Sequence, residues 1–467
     1  MIKGVKTIVV AIIIFILFGP YIYLSKYIYL SSDDFGRAYY NISTFGDRYY
    51  YWVTHENGRY INALVTNLPV YNLKLQRIIP VIFIFLFLFA IYSFLKSLIL
   101  SKRLFLNKSL IFIISTLVTS HIISALPLTA HFFYWFAAST VYLLPLVGLL
   151  FLTSNFIKSR FFGKYFYFNL LLIIICVGSN EMAAAIIGVL ILLTISIALI
   201  EKKFSFSRKF SVYFLIYGFV LSPLLFLKGT QNRIAYYEEG TNLFHAIFAS
   251  TYSTLAEMIS NFFKIENLLI LLLIGLLFNN GKKINLKLNK KLFFNFLLKS
   301  ALAIFCFWST FFVLNYSVGR ATFNLYRTGN FQNVVFLIVT IYIIFEFFSI
   351  FEWDERAKGI INNLNKILIL IVLIALGTIH LKSENYTSAV SDIYSGKARN
   401  FSRTIEQRLI TLKNSEKSNI IFKLIDTPKS IYVDYLFPNP DHTVNMWYVD
   451  MINRQFNTQI KTITVRP

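Results

Sequence analysis

The sequence predicts an all-α polytopic membrane protein of about eleven transmembrane helices with a small α+β extracytoplasmic C-terminal domain. Three observations predict it. Apolar residues make up 57% of the chain and charged residues only 14%, more apolar surface than a soluble core can hide. The apolar residues gather into runs close to the ~20 residues that a spanning helix needs, without the alternation of a membrane barrel. Basic residues also collect in every second short loop, the signature of a chain threaded back and forth across a charged boundary.

The runs cover 6–24, 79–100, 109–126, 138–157, 166–178, 182–200, 210–227, 267–280, 293–315, 333–351 and 364–380. The fifth and eighth are short. The first starts at Lys6 with no small-residue cleavage site after it, which reads as a retained helix and not a removed signal peptide. Cys176 and Cys306 fall inside runs, so both are expected as small core residues and no disulfide is expected.

The net charge of +23 raises nucleic acid as a partner, but its distribution argues for a bilayer instead. Lys102, Arg103 and Lys108 follow the second run, and Lys158, Arg160 and Lys164 the fourth. Lys202, Lys203, Arg208 and Lys209 follow the sixth, Lys282, Lys283, Lys287, Lys290 and Lys291 the eighth, and Arg356 and Lys358 the tenth. Positive loops face the cytoplasm, so the N-terminus is expected inside and the C-terminus outside. Four segments then lie outside: 25–78, 228–266, 316–332 and the polar tail 381–467, set apart from a membrane domain over 1–380. In the tail, "NFSRTIEQRLITLK" has helical spacing, "KSIYVDYLF" reads as a strand and "PNPD" as a turn.

Candidate chemistry lies in those outside segments. Asp33 and Asp34 adjoin in the first loop. They cap a short interfacial helix starting near Phe35, or one of them is a general base, since close and partly buried acids raise each other's pKa. Trp52, with Tyr50 and Tyr51, reads as an interfacial aromatic belt or a sugar-stacking surface. Arg59 follows Asn57 and Gly58 and fits a belt poorly. Lys228, Arg233, Arg320 and Arg327 sit where the charge rule disfavours them. They suit phosphate oxygens, or pair with Glu238, Glu239 or tail acids. Glu181, in the break after the fifth run, needs a partner: an arginine, a sugar hydroxyl or a metal. His121, His131, Tyr134 and Trp135 lie between the third and fourth runs, where a lone histidine is more often a structural hydrogen-bonder than a catalyst. No metal-ligand spacing, phosphate loop or nucleophile elbow is present, so no cofactor is expected and metal binding has no motif behind it.

Five of these stretches occur in an order that resembles GT-C-type membrane glycosyltransferases: "SSDDFGRA" (31–38), "NGRY" (57–60), "YWFAASTVYLLP" (134–145), "SNE" (179–181) and "KGTQNR" (228–233). The likeness covers the first half; the second half is similar in architecture. The related pattern has Pro-Gly-Asn before the arginine, where this chain has Lys-Gly-Thr-Gln-Asn.

The resemblance implies a GT-C-like bundle in a bacterial inner membrane, using a polyprenyl-phosphate-linked sugar to modify a surface polysaccharide. A similar size and outside tail in serotype-converting O-antigen glucosyltransferases implies glucose, a lipopolysaccharide acceptor, and a flippase and donor-synthesising synthase as pathway partners. On this reading Asp34 or Asp33 deprotonates the acceptor, with Asp34 favoured. Arg233, Lys228, Arg320 and Arg327 hold the donor phosphate, and Arg59, Trp52, Trp135, Glu181 and His131 bind substrate. The alternatives are a lipid-linked polysaccharide transporter or flippase, which charges deep in the spans would favour, and an O-antigen polymerase or ligase. Lys299 is the clearest such charge.

Overall fold

In a lipid-facing segment the backbone can satisfy its amides only within itself, so long apolar runs become helices. The structure, a computed structural model, describes residues 2–29, 34, 44–56, 58–68, 73–102, 104, 106–158, 165–200, 204–236, 242–278, 283–288, 290–317, 326–354, 360–416, 418–423, 425–431, 449, 452–453 and 458–466. Helix α1 (Ile2–Leu24) is followed by short helices α2 (Phe45–Tyr51) and α3 (Tyr60–Asn67). The bundle continues with α4 (Leu73–Ser101), α5 (Lys108–Ala125), α6 (Phe136–Ile157), α7 (Phe166–Ser179), α8 (Glu181–Ile200) and α9 (Phe204–Phe226). Short α10 (Lys228–Tyr236) leads to α11 (Leu243–Phe262) and α12 (Ile265–Phe278). Strand β1 (Lys283–Leu288), α13 (Lys290–Ser317), α14 (Tyr326–Phe348), β2 (Phe351–Asp354) and α15 (Ile360–Lys382) complete it. The tail holds α16 (Glu384–Tyr394), α17 (Lys397–Lys413), β3 (Asn419–Lys423) and β4 (Thr462–Arg466).

The chain is a polytopic, multi-pass α-helical membrane protein. Among the described residues seven helices are long and apolar enough to cross a membrane, or eight if α11 and α12, bent by 74°, form one span. Their outward faces are apolar: Phe15, Leu215, Phe219, Phe248 and Tyr252 are all exposed. Inside, small and polar side chains let helices approach, as membrane bundles require. Ser93 on α4 meets Ser154 on α6 at 2.7 Å, and Asn155 donates to Asn169 on α7 at 2.7 Å. Cys176 and Cys306 are buried and free, as expected.

Each of the eleven expected runs contains a helix, but α7 and α12 have only 14 residues. At ~1.5 Å per residue these cover about 21 Å of a ~30 Å hydrocarbon core. Helix α11 was not expected within 228–266. Asn242 caps it by accepting from the His245 amide at 3.1 Å, and Ala246, Ser250, Thr254 and Asn261 form its buried face. That polar face broke the apolar run from which a span is read. Strands β1 and β2 pair antiparallel at the basic end, also unforeseen.

In the tail, helix α17 covers the expected helical stretch, and β3 and β4 pair in parallel. The expected strand over 429–437 differs: residues 429–431 form a turn, while 432–437 and the "PNPD" turn lie outside the described residues. The tail packs on the bundle end that holds the first loop. Asn385 donates to the carbonyls of Ile123 (3.0 Å) and Leu126 (2.8 Å), closing the end of α5, and Tyr386 donates to the Ile16 carbonyl at 2.9 Å.

Candidate functional site

The site is built around the first two turns of α6. A π-turn over Ala130–Tyr134 ends at Trp135, whose extended backbone (φ −86°, ψ 104°) starts the helix without a side-chain cap of its own. The first amides of a helix need acceptors. Asp34, only 2% exposed, supplies them: Oδ2 accepts from Phe136 N–H at 3.0 Å and Oδ1 from Ala137 N–H at 2.7 Å. A carboxylate there also meets the positive end of the helix dipole. Asp34 therefore caps α6, a distant helix; Phe35, where a short capped helix was expected to begin, lies outside the described residues. Asp33 and Asn57 lie outside the described residues.

The Trp135 side chain gathers two further residues. His131 meets its ring edge-on at 5.2 Å, and the Arg327 guanidinium lies over it at 5.2 Å, a cation–π arrangement. Asn330 holds Arg327 in place by clamping α14 to the loop before α6: it accepts from Leu128 N–H at 3.2 Å and donates to the Leu128 carbonyl at 2.8 Å. Arg327 forms no ion pair with a described carboxylate. Its buried Nε and the buried Trp135 Nε1 both lack a hydrogen-bond partner. Burial, reinforced by the Arg327 charge, pushes the His131 pKa down to about 4, so the ring is neutral at neutral pH.

A second node forms across α6. In "GSNE" the chain breaks at Asn180, whose Oδ1 accepts from Met182 and Ala183 N–H at 2.8 and 3.1 Å and starts α8. Glu181 then meets Arg59: Nε donates to Oε1 and Oε2, both at 3.0 Å, and Nη2 to Oε2 at 2.8 Å. Burial opposes the Arg59 charge, but Glu181 and the Tyr142 hydroxyl outweigh it and hold the guanidinium protonated more firmly than usual. Asn62 donates to Thr140 at 2.7 Å and ties α3 to the same turns. Only glycine fits at 178, because a Cβ there would lie 2.5 Å from Ile61 and 2.6 Å from Tyr60.

Helix α10 packs against the π-turn over Trp52–Glu56, with Asn232 donating to the His55 carbonyl at 3.3 Å. Lys228 and Arg233 thus lie on a helix beside the first loop. Lys228 is exposed, and the Arg233 side chain lies outside the described set, as do Arg320, Glu238 and Glu239. Trp52 is buried against Val53 and Ala63, whereas Tyr50 is exposed.

Of the residues singled out in sequence, Asp34, Arg59, His131, Trp135, Glu181 and Arg327 converge on α6. Tyr142 and Asn330 were not singled out there, because each sits within a helix and meets its partner from a distant segment. An unpartnered indole N–H beside a guanidinium with an unpartnered N–H of its own suits an anion with several oxygens, such as a phosphate. Among the described residues no group of three or more His, Cys, Asp or Glu side chains could hold a metal. The chain matches no protein-family model, no curated protein and no solved structure.

Proposed function

We propose that the chain is an inverting GT-C-type membrane glycosyltransferase. It moves glucose from a polyprenyl-phosphate carrier to an extracytoplasmic glycan such as O-antigen. The supporting observation is Arg327, a cation with no carboxylate partner among the described residues, stacked on Trp135 with a donor of each side chain unpaired. On this reading the N-terminus is cytoplasmic, the first loop and the tail 381–467 are outside, and eleven crossings make a GT-C-like membrane domain. The basic loops at the bundle end remote from Arg327 support that orientation.

The acceptor hydroxyl attacks the anomeric carbon while the bond from that carbon to the phosphate oxygen breaks, with inversion. The electron pair leaves with polyprenyl phosphate. Arg327 and the Trp135 N–H meet the phosphate oxygens, with Arg233, Lys228 and Arg320 as further cations. Both Asp34 oxygens already accept amide hydrogens and are occupied by the α6 cap. Asp33 therefore takes the acceptor proton and Asp34 positions the loop. Asp33→Asn should slow transfer about a hundredfold to ten-thousandfold in liposomes supplied with the lipid-linked sugar. An unchanged rate would sink the assignment.

A transporter of lipid-linked glycans is the second reading. Charges deep in the spans would favour it; Glu346, which binds Lys102 at 2.7 Å and Lys299 at 3.1 Å, lies at the end of α14. Mass spectrometry of surface glycans from a deletion strain separates the two. Transfer predicts loss of one hexose per repeat, and transport predicts loss of the whole polymer.

A further inference from the structure

The end of the bundle away from Arg327 holds a second site. Glu346 lies nineteen residues after Arg327 on α14, about 28 Å away at ~1.5 Å per residue. There a cavity of about 480 Å³ opens between α4, α6, α8, α13 and α14, walled by Phe94, Leu146, Ile186, Ala303 and Val339. The charged residues of its rim are Lys102, Lys299 and Glu346, with Lys102 also donating to Ser349 at 3.3 Å.

The rim has two cations and one carboxylate, so one positive charge is left over. Glu346 is shared by both lysines, and the Lys299 side chain is 42% exposed, so the surplus charge lies at the mouth. On α14 the wall runs from Val335 to Glu346, about 16 Å at ~1.5 Å per residue, or half of a ~30 Å hydrocarbon core. An apolar slot one leaflet deep, with a net cation at its mouth, matches one acyl chain of a lipid with an anionic head. It opens at the end carrying the basic loops, where anionic lipids gather in a cytoplasmic leaflet.

We propose that this cavity binds an anionic phospholipid, with one acyl chain in the slot and the phosphate at Lys299 and Lys102. The site is independent of the transferase reading, because its head-group end is remote from Trp135 and Arg327. Native mass spectrometry of the full-length protein in detergent, with phosphatidylglycerol and phosphatidylcholine of identical chains, tests it. The wild type should retain one phosphatidylglycerol in preference by about tenfold, the size of one charge-assisted contact. Lys299→Gln should lose that preference, and Ala303→Trp should lose both lipids by filling the slot. A second arm needs no variant: phosphatidylglycerol with a photoreactive acyl end should label residues of the 335–342 stretch in the wild-type protein. Equal retention of the two lipids would overturn the proposal. So would labelling confined to outward residues such as Phe219, or displacement of phosphatidylglycerol by polyprenyl phosphate at equal concentration.

Discussion

Arg59 and Arg327 reach the same end of α6, yet their surroundings differ. Arg59 is buried and forked onto Glu181 at 2.8 to 3.0 Å. Arg327 has an aromatic face, a neutral histidine and no described carboxylate. A buried arginine with its carboxylate is satisfied, and what it contributes is a fixed join between the first loop and α8. An arginine without one keeps its donors for something that arrives. The contrast assigns scaffold to the first and ligand contact to the second.

Breaking the satisfied pair should have the largest effect. Arg59→Ala leaves Glu181 without its partner in a largely buried place, costing about 3 kcal/mol. The expected outcome is a clear fall in folded protein on fluorescence size-exclusion chromatography, partly rescued by Glu181→Gln in the same chain. Equal behaviour of the single and double variants would remove the scaffold assignment.

A smaller loss is expected at Asp34. Asp34→Asn keeps a shape that accepts one amide hydrogen but loses the charge at the helix end, costing about 1 kcal/mol. Melting temperature in detergent should fall by a few degrees, with transfer reduced far less than in Asp33→Asn. A hundredfold loss of transfer at an unchanged melting temperature would make Asp34 the base.

The third effect depends on pH and concerns His131. Its folded pKa is lowered from the ordinary 6.5 to about 4. Between those values the unfolded chain takes up a proton that the folded site resists, so stability present above about pH 6.5 is lost as pH falls towards about 4. Melting measured at pH 7.5 and pH 5 should show a drop in the wild type that shrinks in His131→Gln. Identical pH slopes would show that the ring is protonated in the folded state and is not neutral beside Arg327.

Much of the fold was legible because its signals are local. Hydropathy marks helices run by run, and the basic loops mark alternation. Helix α11 escaped because Ser250, Thr254 and Asn261 interrupt its apolar residues at helical spacing. The site was legible only as separate pieces. That Glu181 needed a partner followed from a carboxylate placed between apolar runs. That the partner is Arg59 depends on α3 packing under Gly178, which no local pattern encodes. The pairing of Trp135 with Arg327 is set by Asn330 on α14 clamping a loop 202 residues earlier in the sequence. Asp34 was legible as a cap, but the capped helix begins 102 residues later.

The central claim is that Arg327 meets an anionic ligand, and binding of the polyprenyl-phosphate sugar tests it most directly. Wild type, Arg327→Ala and Arg327→Lys would be compared in detergent by equilibrium binding, with melting temperature as a check on folding. Loss of a charge-assisted contact worth about 1.5–3 kcal/mol predicts binding weaker by about tenfold to a hundredfold in Arg327→Ala. Arg327→Lys should fall between, since it keeps the charge and loses the fork. The melting temperature should barely change, because no described carboxylate is left alone. Unchanged donor affinity together with a lowered melting temperature in Arg327→Ala would contradict the account and make Arg327 part of the scaffold, as Arg59 is.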